Sequence, residues 1–260
     1  MANISIISRA HVNNARRIEA EFYQPYYLSL EGILLSNKTL CMFQFADVTD
    51  GEHGSPKIDE SSGIKYLSGN NICDNYIDYE NAKQCTLELH KRNIRSALLK
   101  GNVLLSIVGS IGNASAVIDD VLGNTDRNVA TIKNINNNRI LPNYLSVFLN
   151  TKFGKYQTNR LSTGNNQPFL NLINVKSLIV PELDILFQKL ISDKYLLFYK
   201  LLNKSKLSYT KAIEILLKSI GIYNWQPNLP KYFTKYLTNI SSSLRFDAEL
   251  RIPTHSATQI

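Results

Sequence analysis

The rhythm of apolar and polar positions along this 260-residue chain changes at Pro181. Before it come short runs of β-branched and aliphatic residues: Gln44 to Val48, Ile64 to Leu67, Val103 to Val108, Ser115 to Ile118, Val129 to Ile132 and Leu178 to Val180. Glycines punctuate these runs, as turns between strands require. The pattern predicts a compact, mostly β body with a few helices, one of which is legible. Pro142 opens a stretch in which Tyr144, Leu145, Phe148 and Leu149 fall on one helical face. After Pro181 the period becomes helical. From Asp184 to about Ile220 there is no Pro or Gly, and Leu186, Leu190, Leu197 and Leu201, then Tyr209, Ile213, Leu216 and Ile220, recur at three- and four-residue steps. The spacing predicts one helix roughly 55 Å long at ~1.5 Å per residue, closed by Gly221. A helix of that length must lean on something. Leu186, Leu190, Leu197, Leu201, Ile213, Leu216 and Ile220 are the candidate packing positions, and Ile191, Leu196, Phe198 and Leu202 widen the face beyond a strict two-helix seam. The fold class is α+β.

A short echo links the two ends. Arg17-Ile-Glu-Ala-Glu-Phe with Pro25 returns as Arg245-Phe-Asp-Ala-Glu-Leu with Pro253, at a constant offset of 228. It falls where a repeat boundary would lie if body and helix formed one unit, and only one such unit is complete here.

Composition narrows the function. At 44% hydrophobic and 19% charged the chain supports a packed core, which excludes wholesale disorder. Its net charge of +8 and pI of about 9.3 favour a polyanionic partner, nucleic acid first. The charge is concentrated: Arg127 to Pro181 holds seven Lys or Arg, twelve Asn and no Asp or Glu. A carboxamide offers a donor and an acceptor to one base edge, although an AT-biased genome would enrich Asn without any function. Cys41, Cys73 and Cys85 form no CxxC pair, so reduced thiols and a cytoplasmic location are expected. Residues 1–14 show no basic start followed by an apolar run and no later stretch reaches membrane-spanning length, so neither secretion nor membrane insertion is expected.

Catalysis finds little support. The four histidines are scattered, with no metal-binding or acid–base spacing. Gly109-Ser-Ile-Gly112 lacks the frame of a phosphate-binding loop and is better read as a tight turn. There is no Asn/Asp-Pro-Pro-aromatic tetrapeptide of the amino-methyltransferase kind and no acid-x-Lys nuclease pattern. What remains is recognition. Arg160 to Pro168 places a guanidinium, two hydroxyls and three carboxamides together (Arg160, Ser162, Thr163, Asn165, Asn166, Gln167). Arg127 and Asn128 lie in a second polar turn. Ser55 and Lys57, with Lys65, supply a third edge. Arg92 and Arg95 belong to a fourth cluster, suited to phosphates more than to bases. Each is also readable as an ordinary polar loop.

Three segments in order, Ile64-Lys-Tyr-Leu-Ser-Gly-Asn-Asn-Ile72, Leu99-Lys-Gly-Asn-Val-Leu-Leu-Ser-Ile-Val-Gly-Ser-Ile-Gly112, and Ser162-Thr-Gly-Asn-Asn-Gln-Pro-Phe-Leu-Asn171 leading into Leu178-Ile-Val-Pro-Glu182, resemble the target recognition domain of type I restriction-modification specificity subunits. The resemblance covers about 140 residues, and the helix that follows is similar to the spacer helix of that family. It implies four parts: an N-terminal conserved segment (1–39), a target recognition domain (40–182), a spacer helix (183–221) pairing antiparallel with a partner helix, and the start of a second repeat (222–260). It implies a non-catalytic reader of double-stranded DNA that binds no cofactor itself. Modification subunits carry S-adenosylmethionine and methylate adenine, and a translocating restriction subunit can join them. A full member has two recognition domains and this chain has one, which makes it a half-subunit, a natural truncation or a fragment; if it works alone, the expected assembly is a homodimer through the spacer helix, reading an interrupted palindrome. Two rivals stand beside this reading: a self-contained DNA-modifying enzyme and a helical RNA- or protein-binding scaffold.

Overall fold

A computed structural model describes residues 4–15, 17–164 and 167–226; those up to 202 form one compact unit and those from 203 belong to a second. In the first unit, α1 (Arg9–Ala15) and α2 (Pro25–Leu35) precede the first strand, β1 (Thr39–Cys41). The centre is a four-stranded antiparallel sheet formed by β2 (Asp47–Asp50), β7 (Val103–Ser106), β8 (Ala114–Ala116) and β10 (Val129–Lys133), in the order β2-β10-β7-β8. A second sheet joins β3 (Lys65–Leu67) antiparallel to β6 (Lys83–Gln84) and parallel to β9 (Gly123–Thr125). Two small ribbons complete the strands: β4 (Ile72–Cys73) with β5 (Tyr76–Ile77), and β1 with β11 (Ile179–Pro181). The helices α3 (Leu87–Arg92), α4 (Pro142–Asn150), α5 (Lys152–Leu161) and α6 (Leu172–Lys176) pack around them, and α7 (Ile185–Ser219) follows.

The continuous apolar runs at 103–106 and 129–132 are buried on both faces, which is why they do not alternate. Val103, Leu105, Ala130 and Ile132 pack with Leu145, Leu149, Leu178 and Val180 in the main core. The run expected from Gln44 starts later: β2 begins at Asp47, because the Gln44 Oε1 atom accepts the Cys41 N–H at 2.7 Å and folds residues 42–44 into a 310 turn. The body also holds more helix than the pattern suggests. α5 buries Gln157, Thr158 and Arg160 and so carries no clean apolar stripe.

The long helix spans 35 residues and ends in a Schellman cap, with Gly221 at φ +74°, its N–H on Lys218 O and the Ile222 N–H on Leu217 O. Its contact face within the first unit is not the leucine stripe. Gln188, fully buried, donates to Arg139 O and Leu183 O and accepts the Leu141 N–H. One turn on, Ser192 receives the Asn143 amide, and Tyr195 Oη accepts the Ala116 N–H at 3.2 Å and lies 3.2 Å from Ser115 Oγ. Leu186, Leu190, Leu197 and Leu201 are exposed, as are Ile213, Leu216 and Ile220 in the second unit.

A charged clamp closes the β1–β11 ribbon just before α7. Arg139 grips Glu182 with two hydrogen bonds, at 2.6 and 3.2 Å, and Lys38 Nζ lies 2.8 Å from the same carboxylate. Hydrogen bonds from Arg139 and then Lys38 bring the Glu182 carboxyl down to about 2 from an ordinary 4.5. A depressed carboxyl stabilises the fold fully above its unfolded value and loses that contribution as the pH falls through its folded one. The wild-type melting temperature should therefore drop between pH 4.5 and about 2. A Glu182→Gln variant should start lower and show a shallower drop; identical pH profiles would refute the assignment.

Candidate nucleic-acid interface

The chain passes from the second sheet to the first through one tight turn, Asp126-Arg127-Asn128, between β9 and β10. This turn is tied to its surroundings through the backbone. Asp126 N–H donates to Leu67 O (2.8 Å), Arg127 N–H to Glu52 O (3.0 Å), and Asn128 O accepts the Ile107 N–H (2.9 Å). The segment leaving β2 runs alongside it, with Glu52 bridged to Asp126. Gly51 permits that approach, since a Cβ there would lie 1.8 Å from Thr125 O. The result is a cleft of about 840 Å³ lined by Glu52, His53, Ser55, Tyr66, Asn70, Asp78, Asn81, Lys83, Asp126, Arg127 and Asn128, among others. Ser55 and the Arg127–Asn128 pair, far apart in sequence, meet here.

The electrostatics of the cleft are mixed rather than purely basic. Burial pushes the Asp126 carboxyl above the ordinary carboxylate range, and hydrogen bonds from the Asn128 backbone and side chain act against that rise. Burial likewise raises the Tyr66 phenol, helped by the neighbouring Asp126 and Glu52 charges, and its hydroxyl has no hydrogen-bond partner among the described residues. Burial alone would raise Glu52, but the Gly54 N–H, the Asn93 amide and the Arg92 charge bring it net below the usual value. His53, on the rim, lies 2.7 Å from Asp50.

Around the rim, three of the expected cations keep exposed heads and long carboxylate contacts: Lys57 to Glu88 (3.3 Å), Arg92 to Glu52 (3.6 Å) and Arg95 to Asp50 (3.7 Å). The Lys57–Glu88 pair is exposed on both sides and contributes little, about 0–1 kcal/mol, so a phosphate can replace that carboxylate at small cost, whereas Arg92 and Arg95 keep exposed guanidinium groups beside the mostly buried Glu52 and Asp50. His90, from the same cluster, is buried and lies 2.6 Å from Asn124.

The loop after α5 approaches the same end of the sheet. Thr163 and Phe169 exchange backbone hydrogen bonds at 2.9 and 2.8 Å, and the Leu170 N–H donates to Ile107 O at 2.9 Å. Ile107 therefore touches this loop through its carbonyl and the Asn128 turn through its N–H. Gln167 is exposed, Thr163 is half-buried, and half-buried Ser162 turns its hydroxyl back to Asn159 O. Asn165 and Asn166 lie outside the described residues. Gly109 to Gly112 forms the tight turn between β7 and β8, with Gly112 N–H on Ser106 O.

Two expectations are corrected. Arg160 does not face a partner: its side chain is 4% exposed, Nε donates to Phe22 O, Nη1 pairs with Glu31 at 2.8 Å, and the guanidinium lies 4.1 Å over the Phe22 ring. Helix α5 turns inward there, and Arg160 anchors the N-terminal segment. Lys65 is half-buried beside Tyr66 on β3; adjacent strand residues face opposite sides, so Lys65 points away from the cleft that Tyr66 lines. Sequence reasoning missed Tyr66, Asn70, Asp78, Asn81, Lys83 and Asp126. Tyr66 and Asn70 stood inside the segment Ile64–Ile72 already singled out, and Asp126 directly precedes the Arg127–Asn128 turn; Asp78, Asn81 and Lys83 gave no signal.

Among the described residues no helix is long and apolar enough to cross a membrane, and no group of three His, Cys, Asp or Glu is placed to hold a metal ion. No family model matches the chain, and no curated protein matches it either. Solved structures do. The type I restriction-modification S subunit from M. genitalium aligns at 13% identity and TM-score 0.49 over 70% of this chain and 43% of its own. The HsdS subunit from Thermoanaerobacter tengcongensis aligns at 13% and 0.45 over 76% and 49%. The type IIG restriction endonuclease BpuSI aligns at 10% and 0.51 over 73% and 30%. The chain spans about half, or less, of each of these proteins. At this identity the match to BpuSI establishes a shared fold and nothing more.

Proposed function

We propose that this chain is the DNA-reading specificity component of a type I restriction-modification complex. It reads one half of a split duplex target and docks modification subunits that supply S-adenosylmethionine and transfer the methyl group to adenine. The observation that carries this reading is the convergence of the Ser55, Arg127–Asn128 and Gln167 segments at one end of the central sheet, rimmed by Lys57, Arg92 and Arg95. Carboxamides and hydroxyls at the centre with guanidinium groups at the edge are the division of labour of sequence reading and phosphate binding. On this reading residues 40–182 are the recognition domain and 183–221 the spacer. The exposed leucines of α7 seat an antiparallel partner helix, from a second copy of this chain.

Mobility shifts with duplex DNA over a salt series test the proposal. If Lys57, Arg92, Arg95 and Arg127 each neutralise one phosphate, log K should fall against log salt with a slope of about −3.6. Arg92→Ala or Arg95→Ala should reduce that slope by about 1 and weaken all sequences alike. Equal affinity for single-stranded RNA, or binding indifferent to sequence, would defeat it.

A further inference from the structure

The Asp126–Asn128 turn does more than close the cleft. Asn128 donates twice to one carboxylate: its backbone N–H to Asp126 Oδ1 at 2.8 Å and its side-chain Nδ2 to Asp126 Oδ2 at 3.0 Å. An ionised carboxylate only accepts hydrogen bonds, whereas a carboxamide has an accepting end and a donating end. The Asn128 amide must therefore turn its NH2 towards Asp126, and the opposite orientation would set oxygen against oxygen. Among the described residues nothing else bonds this amide, so what stays free is the Oδ1 acceptor and the second Nδ2 hydrogen, side by side. The backbone beneath is fixed by the bonds from Asp126 to Leu67, from Arg127 to Glu52 and from Ile107 to Asn128, so this pair is presented in one pose.

We propose that Asn128 reads the major-groove edge of an adenine, and that Asp126 is the positioning residue that fixes the direction of its amide. The inference rests on the duplex-reading function proposed above. Adenine shows an N6 donor beside an N7 acceptor, the complement of one outward oxygen and one outward N–H. Guanine shows two acceptors, O6 and N7, and the locked amide would set its oxygen against O6. The expected discrimination at that position is roughly 5- to 150-fold. Asp126 lies within the cleft wall next to Tyr66, where its charge is shielded from competing solvent donors.

Substitution at Asp126 separates positioning from a merely structural role. Asp126→Asn keeps the shape and can still accept the Asn128 backbone N–H, so the turn survives. Its new NH2 group, however, donates to the Asn128 oxygen and flips the amide, leaving two outward N–H groups that suit guanine. Asp126→Glu retains acceptor-only chemistry. The experiment is selection from a pool of duplexes with a randomised core, using the full chain and these variants together with Asn128→Ala, followed by sequencing of the bound fraction and a melting curve for each protein. The expected result is one adenine position that is lost in Asn128→Ala, moves towards guanine in Asp126→Asn and persists in Asp126→Glu. If the wild-type chain enriches no sequence, the proposed function itself fails. If it enriches a motif that all three folded variants share, the function stands and this inference is overturned. Uniform weakening by Asn128→Ala would assign Asn128 to the backbone and overturn it too, as would retention of adenine by Asp126→Asn. Should Asp126→Asn fail to fold, the contrast between Asp126→Glu and Asn128→Ala decides.

Discussion

Arg160→Ala should lower the stability of the folded chain by about 3 kcal/mol, at the low end of what breaking a buried ion pair costs, and should leave its base preference untouched. The side chain is 4% exposed, while its partner Glu31 is 24% exposed, so water can re-solvate the abandoned carboxylate in part. That partial access sets the estimate at the low end of the range. Three interactions vanish together: the ion pair with Glu31, the hydrogen bond to Phe22 O and the stacking over the Phe22 ring. The two Phe22 contacts join α5 to the segment between α1 and α2 and the ion pair joins it to α2 itself, so the N-terminal segment should become the first part to open, visible as faster amide exchange around Phe22 and Tyr23. Chemical denaturation measures the loss, and duplex selection measures the preference. A variant of wild-type stability with a relaxed motif would restore Arg160 to the reading surface and remove it from the core.

The misplacement of Arg160 shows where the sequence stops being informative. An arginine at the end of a polar helix beside Ser162 and Thr163 has the composition of a binding loop. Its burial depends on Phe22 and Glu31, more than 120 residues away, and no local pattern reports that pairing. The same holds for the cleft. Arg127, Asn128 and Ser55 were legible as polar turns, but their meeting depends on Glu52 bridging Asp126 and on β3 pairing parallel to β9, both long-range. The acid-free stretch from Arg127 to Pro181 suggested a basic surface, yet Glu52 and Asp78 are brought to the Arg127 side from outside that stretch. By contrast, α4, β7, β10 and the long helix follow from local periodicity and came through almost at their observed bounds. The two-residue strands β4, β5 and β6 are too short to carry any period.

Leu190→Glu with Leu197→Glu should abolish self-association through α7 at micromolar concentration while leaving the melting temperature of the monomeric body nearly unchanged. The reason lies in the division of the helix surface. Gln188 and Tyr195 are spent on the body, at 0% and 3% exposure, whereas Leu190 and Leu197 stand at 54% and 49% with nothing from the first unit over them. Full burial of a leucine contributes about 1.5–3 kcal/mol and these two are already about half covered, but a two-fold dimer loses four such side chains, which weakens it by roughly 10²- to 10⁴-fold before the cost of burying the four new carboxylates is added. The body does not use either side chain, which is why its stability should hold, whereas Gln188→Ala would strip partners from Leu141, Arg139 and Leu183 and unfold the helix root instead. Sedimentation of wild type and double variant provides the measurement. A monomeric wild type would remove the homodimer, and an equally dimeric double variant would move the interface elsewhere.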